Sequence, residues 1–227
     1  MKIKYIKAAV VGVLLSVCSL ANAGLITNGG FETGDYTGWT LTGPVTDYSI
    51  WGILNTGDNL NGTTGTIFNF NTGNSPSLDM NGANVTANGG SGNFVAMHHT
   101  QGSTQGWGMY QDFLLSSNAL TIDWDMLWLN QHSTWDASQT MSVLLKDAVT
   151  GLTLETLYST NAAEVLSQNP MAHYSADISS YVGSNVRLQV EGTIDSFYHT
   201  VMFDNFAVTT TEVPEPSTLA IFALGVM

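Results

Sequence analysis

Two carboxylates, Asp123 and Asp125, flank Trp124 in an alternating run, so a strand here carries both on one face. They would stand roughly 6.5–7 Å apart at about 3.3 Å per residue, near the spacing of glycosidase acid pairs. Acids on neighbouring outward positions of one strand are ordinarily solvated, however, and glycosidase pairs normally come from different strands. His98-His99 is the only adjacent histidine pair; His132, His173 and His199 are scattered. On a strand His98 and His99 face opposite sides and cannot grip one metal without a bulge, so polar surface positions are the default expectation. No Gly-x-Ser-x-Gly elbow marks a nucleophile. The expectation is a chain that is not an enzyme.

Trp51, Trp107, Trp135 and Tyr198 sit beside Gly, Ser, Asp or His, outside the cleanest alternating runs. Exposed aromatic rings stack on the apolar face of a pyranose while polar neighbours catch its hydroxyls. Gly106 and Gly108, on either side of Trp107, would let a ligand approach the backbone. These four are the candidate ligand-binding residues. The other reading is that the rings cap the ends of a core, since Trp is usually largely buried.

The elements that must position these groups are short strands. Leu120, Ile122, Trp124, Met126 and Trp128 point one way, and Thr121, Asp123 and Asp125 the other. Val186, Leu188 and Val190 alternate with Arg187, Gln189 and Glu191 in the same manner, and Met141, Val143 and Leu145 oppose Ser142 and Lys146. Gly, Asn, Asp, Ser and Thr punctuate the runs as turn formers. No sustained helical stripe or fixed-period repeat is present; Asn161 to Gln168 has room for one or two helical turns. Many half-buried strands between turns predict an all-β sandwich or barrel.

Composition narrows the partners. The 227 residues hold 5 Lys+Arg against 18 Asp+Glu, and 10% are charged. Lys2, Lys4 and Lys7 precede an apolar stretch ending in Ala21-Asn22-Ala23, the pattern of a secretory signal peptide over residues 1–23. After cleavage only Lys146 and Arg187 oppose the acids, a formal charge of about -16. Such a chain repels phosphate backbones, which excludes nucleic acid as a partner. Cys18, the single cysteine, falls within the leader. Lipoprotein processing there is disfavoured because Val17, not a small residue, precedes it. The mature chain then has no disulfide.

The C-terminal stretch, residues 209–227, reads as a polar linker and then Val213-Pro214-Glu215-Pro216-Ser217-Thr218 before an uncharged apolar run. It resembles the PEP-CTERM sorting signal of Gram-negative bacteria, with Pro214, Glu215 and Pro216 as the motif. The resemblance implies handling by exosortase-type machinery, membrane contact through this segment, and delivery to the cell envelope, outer surface or extracellular matrix. The family's arginine-rich tail does not follow. The apolar run, about 13–14 Å as a helix, is too short to span a bilayer as written, so the signal is truncated or impaired.

Residues 24–208 make the expected domain. Its opening, Leu25–Thr40, places Asn28, Phe31, Glu32, Gly34, Gly38 and Trp39 in a pattern resembling carbohydrate-binding-module-like jelly rolls. Its end, Val201–Val208 with Asp204 and Asn205, resembles the closing strand of that fold, next to the opening one. The implied architecture is a jelly-roll, galactose-binding-like β-sandwich of two antiparallel sheets. In that family the matching acids often help hold Ca2+, which makes Glu32, Asp204 and, more weakly, Asn28 the implied structural calcium ligands; the alternative is that the acids satisfy turn amides. The implied function is non-catalytic association with exopolysaccharide. A structural matrix protein without a specific ligand, or a polysaccharide-active enzyme, is the alternative. Asn61-Gly62-Thr63 and Asn84-Val85-Thr86 fit glycosylation sequons, but in a bacterial chain they read as turn residues.

Overall fold

The alternating runs become strands, and their apolar sides meet. In chain order these are β1 (Thr40–Thr42), β2 (Ser49–Asn55), β3 (Asn59–Asn61), β4 (Thr64–Thr66), β5 (Ser77–Asp79), β6 (Asn84–Thr86), β7 (Phe94–Gln101), β8 (Gln105–Leu114), β9 (Ala119–Asn130), β10 (Thr140–Asp147), β11 (Thr153–Ser159), β12 (Ser167–Asp177), β13 (Asn185–Ile194) and β14 (Tyr198–Thr210). The computed structural model describes residues 25–211 apart from 47, 62–63, 80–83, 88–91, 103–104, 133–134 and 196. The expected signal peptide with Cys18, and Pro214-Glu215-Pro216, lie outside the described residues.

A front sheet runs β1-β8-β13-β10-β11 and a back sheet runs β12-β9-β14-β7-β2, with antiparallel pairing throughout. From β8 onward the chain passes repeatedly between the sheets, giving the expected jelly-roll β-sandwich. The only helical element among the described residues is a 3-10 turn at Ser179–Tyr181. Where the sequence left room for a helix, Asn161–Glu164 forms a turn instead, its Glu164 N–H donating to Asn161 O at 2.9 Å.

Between the sheets lie Ile122, Trp124, Met126 and Trp128 of β9, Met141, Val143 and Leu145 of β10, and Val186, Leu188 and Val190 of β13. These are the sides the alternation assigned to the core. Each fully buried side chain of this size contributes about 1.5–3 kcal/mol, so this layer holds the fold without disulfides. A second apolar cluster, unforeseen from sequence, covers part of the back sheet's outer face. Ile50, Met97, Leu127 and Met202 pack there against Val85 and Ala87, with Leu60 partly buried beside them. The β3–β6 pair supplies this cover, and the sequon residues Asn61 and Asn84 are register partners within it rather than turn residues.

The two ends of the domain do meet. Residues 25–39 form turns rather than an opening strand, and they lie against β14, where Phe206 N–H donates to Gly29 O at 3.0 Å. Phe31 stacks on Trp39 at 5.7 Å, and Trp39 packs against Phe206 at 5.2 Å. Trp39 Nε1 donates to Asn28 O. At Gly38 (φ +87°) a Cβ would come within 2.9 Å of Thr27 Cβ, so only glycine fits this turn. The last strand runs to Thr210, and Thr211 is tied to Asn118 at 2.8 Å, so the ordered sandwich continues past residue 208.

Candidate functional site

Three of the four proposed ligand-stacking rings are inside the sandwich. Trp51, Trp107 and Trp135 are 0%, 3% and 1% exposed and offer no face to solvent. The physical reason is plain at Gly106-Trp107-Gly108. The glycines bare the backbone beside the ring, but the segment is strand β8, with the indole inward and both glycines on the outer face. Tyr198, half-buried at the start of β14, stacks at 6.1 Å on His99. The four residues therefore do not form one surface. The histidine expectation is corrected too: His98, His99 and His199 are fully buried rather than on the surface.

Glu32 and Asp204 both approach Gly30, at whose Cβ position Glu32 Cγ and Asp204 Oδ1 lie 3.8 and 3.7 Å away. Glu32 turns its carboxylate to the 92–94 loop: Oε1 accepts from the amides of Asn93 (2.9 Å) and Phe94 (3.2 Å), and Oε2 also accepts from Asn93. Asp204 Oδ1 accepts from Asn205 N–H at 2.8 Å. Asn28 closes its own turn, accepting from Thr33 N–H through Oδ1. Among the described residues no group of three or more His, Cys, Asp or Glu side chains is arranged to hold a metal. Glu32 is a loop clamp here, its carboxylate directed to the amides of Asn93 and Phe94.

Asp123 and Asp125 share the outer face of the back sheet. Asp125 takes His173 Nδ1 at 2.8 Å and Asn205 Nδ2 at 2.7 Å. Asp123 takes Thr121 and Thr209 hydroxyls at 2.8 and 2.7 Å. Burial pushes the Asp123 carboxyl up, but hydrogen bonds from Ser175, Thr209 and Thr121, with His173 nearby, outweigh it and hold the group below the usual range. Each acid is occupied by its neighbours, which suits a structural brace.

A polar cleft lies on the front sheet. About 270 Å³ in volume, it crosses the outer face over β1, β8, β13 and β10. Its bare backbone is at Gly106, and its walls are Thr42, Thr140, Ser142, Gln189, Glu191 and Thr193. Alternation puts these hydroxyl, amide and carboxylate groups on one face, and register sets their rows: Gly108, Glu191 and Ser142 are successive cross-strand partners, as are Gly106, Thr193 and Thr140. Lys146 Nζ donates to Glu191 Oε2 at 3.0 Å, and Gln189 Nε2 donates to the same oxygen. On the inner side of the same strands the Trp107 indole packs against the backbone of Gly192, where a Cβ would fall 2.4 Å from it.

The cleft also borders the two cations of the domain. Lys146 and Arg187 are partners across β10 and β13. Glu191 neutralises the first, and Asp112 the second through bonds of 2.7 and 2.9 Å. Arg187 also lies 3.7 Å over the Tyr110 ring. Sequence reading placed Gln189, Glu191 and Ser142 outward but gave no reason to join them; that signal required the order of strands.

A wider hollow of about 540 Å³ lies between Asp35–Leu41 and Phe70–Asn71. Its polar handles are already used: the Tyr36 hydroxyl donates to Gly52 O at 2.8 Å and Trp39 Nε1 donates to Asn28 O at 3.2 Å.

No protein-family model matches the chain, and no curated protein matches it. Among solved structures, it is similar to the enzymatically active domain of tailspike protein 4 from bacteriophage CBA120, at 10% identity over 83% of this chain and 21% of that one, with a TM-score of 0.49. This chain thus spans about a fifth of that protein's length. TmCBM61 in complex with β-1,4-galactotriose gives 10% identity, 83% and 99% coverage, and a TM-score of 0.48. A xylan-binding domain from CBM22 gives 14%, 85% and 99%, and 0.44.

Proposed function

We propose that this β-sandwich is a non-catalytic glycan-binding domain whose ligand lies across the outer face of the front sheet. The observation that carries the reading is the cleft itself. Hydroxyl, amide and carboxylate groups from three strands gather around the Gly106 backbone of a fourth, which a sugar ring can approach closely. Glu191 is held by Lys146 and Gln189 through Oε2, which orients Oε1 as an acceptor for a sugar hydroxyl. Both cations beside the cleft are already paired, and the domain is strongly acidic, so the ligand is a neutral polysaccharide rather than a uronic or sulfated one. The jelly-roll-like ends point in the same direction. Export through residues 1–23, and exosortase-type sorting to the envelope or matrix of a Gram-negative bacterium through Pro214-Glu215-Pro216, rest on the resemblance of the two termini and complete the proposal.

Gly106 supplies the test. A Cβ there would meet only Gly192 O, at 3.6 Å, an ordinary contact, so G106V fills the cleft without forcing the sheet apart. In affinity gels containing galactan, xylan or other neutral polysaccharides, the secreted chain is retarded in at least one. G106V migrates freely and keeps the melting temperature of the parent. Free migration of the parent in every gel would remove the reading.

A further inference from the structure

Behind the cleft floor sits a pair of histidines that the glycan reading does not use. His98 of β7 and His199 of β14 both face the interior: Trp51 is the register partner of His98, and Thr100, two residues along the same face, is the partner of His199. Both imidazoles are fully buried. His98 stacks on Trp107 at 4.4 Å and 19°, with Trp51 at 4.6 Å. His199 contacts Trp107 at 5.8 Å and Trp135 at 5.4 Å.

Their polar atoms are poorly supplied. Ser49 Oγ meets His98 Nε2 at 3.0 Å, but among the described residues His98 Nδ1 and both ring nitrogens of His199 have no hydrogen-bond partner. A neutral imidazole survives this at modest cost, whereas an imidazolium has two N–H groups and a charge to solvate. The groups around the pair carry no negative charge: besides Ser49, the cross-strand partners of His199, Thr100 and Asn130, are buried and uncharged. From β2 come Ser49 and Trp51, from β8 Trp107, from the loop before β10 Trp135, and from β7 the third buried histidine, His99, whose charge would repel. No acid forms an ion pair with His98 or His199 among the described residues. Burial, reinforced by the neighbouring histidines, holds His98 well below its ordinary value and His199 down to about 3.

Trp107 touches both imidazoles with its inward ring, and the residue also borders the cleft on the outer face of its strand. We infer that His98 and His199 are an acid-operated release for the cleft: a proton on either ring draws water into the interior, displaces Trp107 and dismantles the glycan site from behind. This rests on the cleft being the ligand site. The charge-free interior is stable while both rings are neutral. Between pH about 6.5 and about 3 the opened form binds more protons than the closed one, so falling pH favours opening.

The experiment follows near-UV circular dichroism and retention on the same neutral polysaccharide gels from pH 7 to pH 3, for the parent, H98F, H199F and H199L. In the parent the tryptophan signal and retention fall together, with retention reduced at least tenfold by pH 4. In any folded variant the transition shifts to lower pH, while retention at pH 7 is kept. Loss of retention with no tryptophan change points to protonation of Glu191 instead and overturns the inference. A parent transition that no folded variant shifts also overturns it. If nothing is retained at pH 7 the cleft reading fails alone, because the dichroism transition and its shift still test the histidines.

Discussion

The outer faces of the two sheets are built from the same alternation and used in opposite ways. On the front sheet the outward groups around Gly106 on β1, β10 and β13 are hydroxyls, an amide and one held carboxylate, and they enclose a cleft. On the back sheet the outward groups divide. Leu127 and Met202 disappear beneath the β3–β6 cover, while Asp123 and Asp125 are bound up with Thr121, Thr209, His173 and Asn205. Polar side chains on a strand's outer face thus mean different things. Where each has a partner in the sheet they brace it, and where glycine leaves a gap among them they can meet a ligand. The carboxylates illustrate this: Asp125 spends both oxygens within the sheet, whereas the donors to Glu191 converge on Oε2 alone.

The largest expected effect tests the covered half of the back face. L127D places an unpaired carboxylate among Ile50, Met97 and Met202, and the secreted protein is expected to lose cooperative unfolding altogether. S142D on the open front face should change stability by less than about 0.5 kcal/mol in urea titrations. Equal penalties at the two positions would erase the distinction between a covered and an open face.

Acid probes what stands behind each face. His98 and His199 bind fewer protons folded than unfolded, so their contribution is fully present above about pH 6.5 and declines as pH falls, continuing to about pH 3 for His199. A loss of several kcal/mol by pH 4 is expected from urea midpoints at stepped pH. A stability flat from pH 7 to pH 4 would mean that the buried rings find solvation elsewhere. Asp123, with its carboxyl held low, adds a loss only below its unfolded value of about 4.

A smaller effect separates brace from site. D125A leaves His173 and Asn205 without their acceptor, at a cost of about 1–2 kcal/mol since His173 is largely exposed. Polysaccharide retention should be unaffected. This is the converse of G106V, which keeps stability and loses retention. Should D125A lose retention while folded, the ligand face has been assigned to the wrong sheet.

Much of this division was present in the sequence, unevenly. Alternation in β9, β10 and β13 separated core from surface correctly because each residue's side follows from local geometry. The change from Asp125 to Leu127 and Leu129 on the same outer face went unread, because no local pattern shows that the β3–β6 pair lies over them. Gly106-Trp107-Gly108 misled because glycine flanks suggest an open approach to the ring; only pairing with β13 makes the triplet a strand and turns the indole inward. His98-His99 misled in the same way, since residue type indicates a surface and lies silent about a strand enclosed by β2 and β14. The cleft depends on Thr42, Gly108, Glu191 and Ser142 standing side by side, a fact of strand order that no local pattern carries.

The smallest expected effect concerns the join between the domain's ends. A calcium ion bound by Glu32, Asp204 and Asn28 would stabilise the folded state by mass action, raising the melting temperature with added calcium. The geometry assigns Glu32 to the amides of Asn93 and Phe94 instead, and a Cβ at Gly92 would fall 2.0 Å from its Oε1, so the loop is fitted to the carboxylate itself. Melting in EDTA and in millimolar calcium should therefore coincide. E32Q should lower the midpoint in both solutions alike, because the amide keeps one acceptor and loses the charge-assisted pair. If calcium raises the parent's midpoint and E32Q abolishes that rise, the carboxylate exchanges its amides for the ion. The join would then be a metal site that the loop closes in its absence.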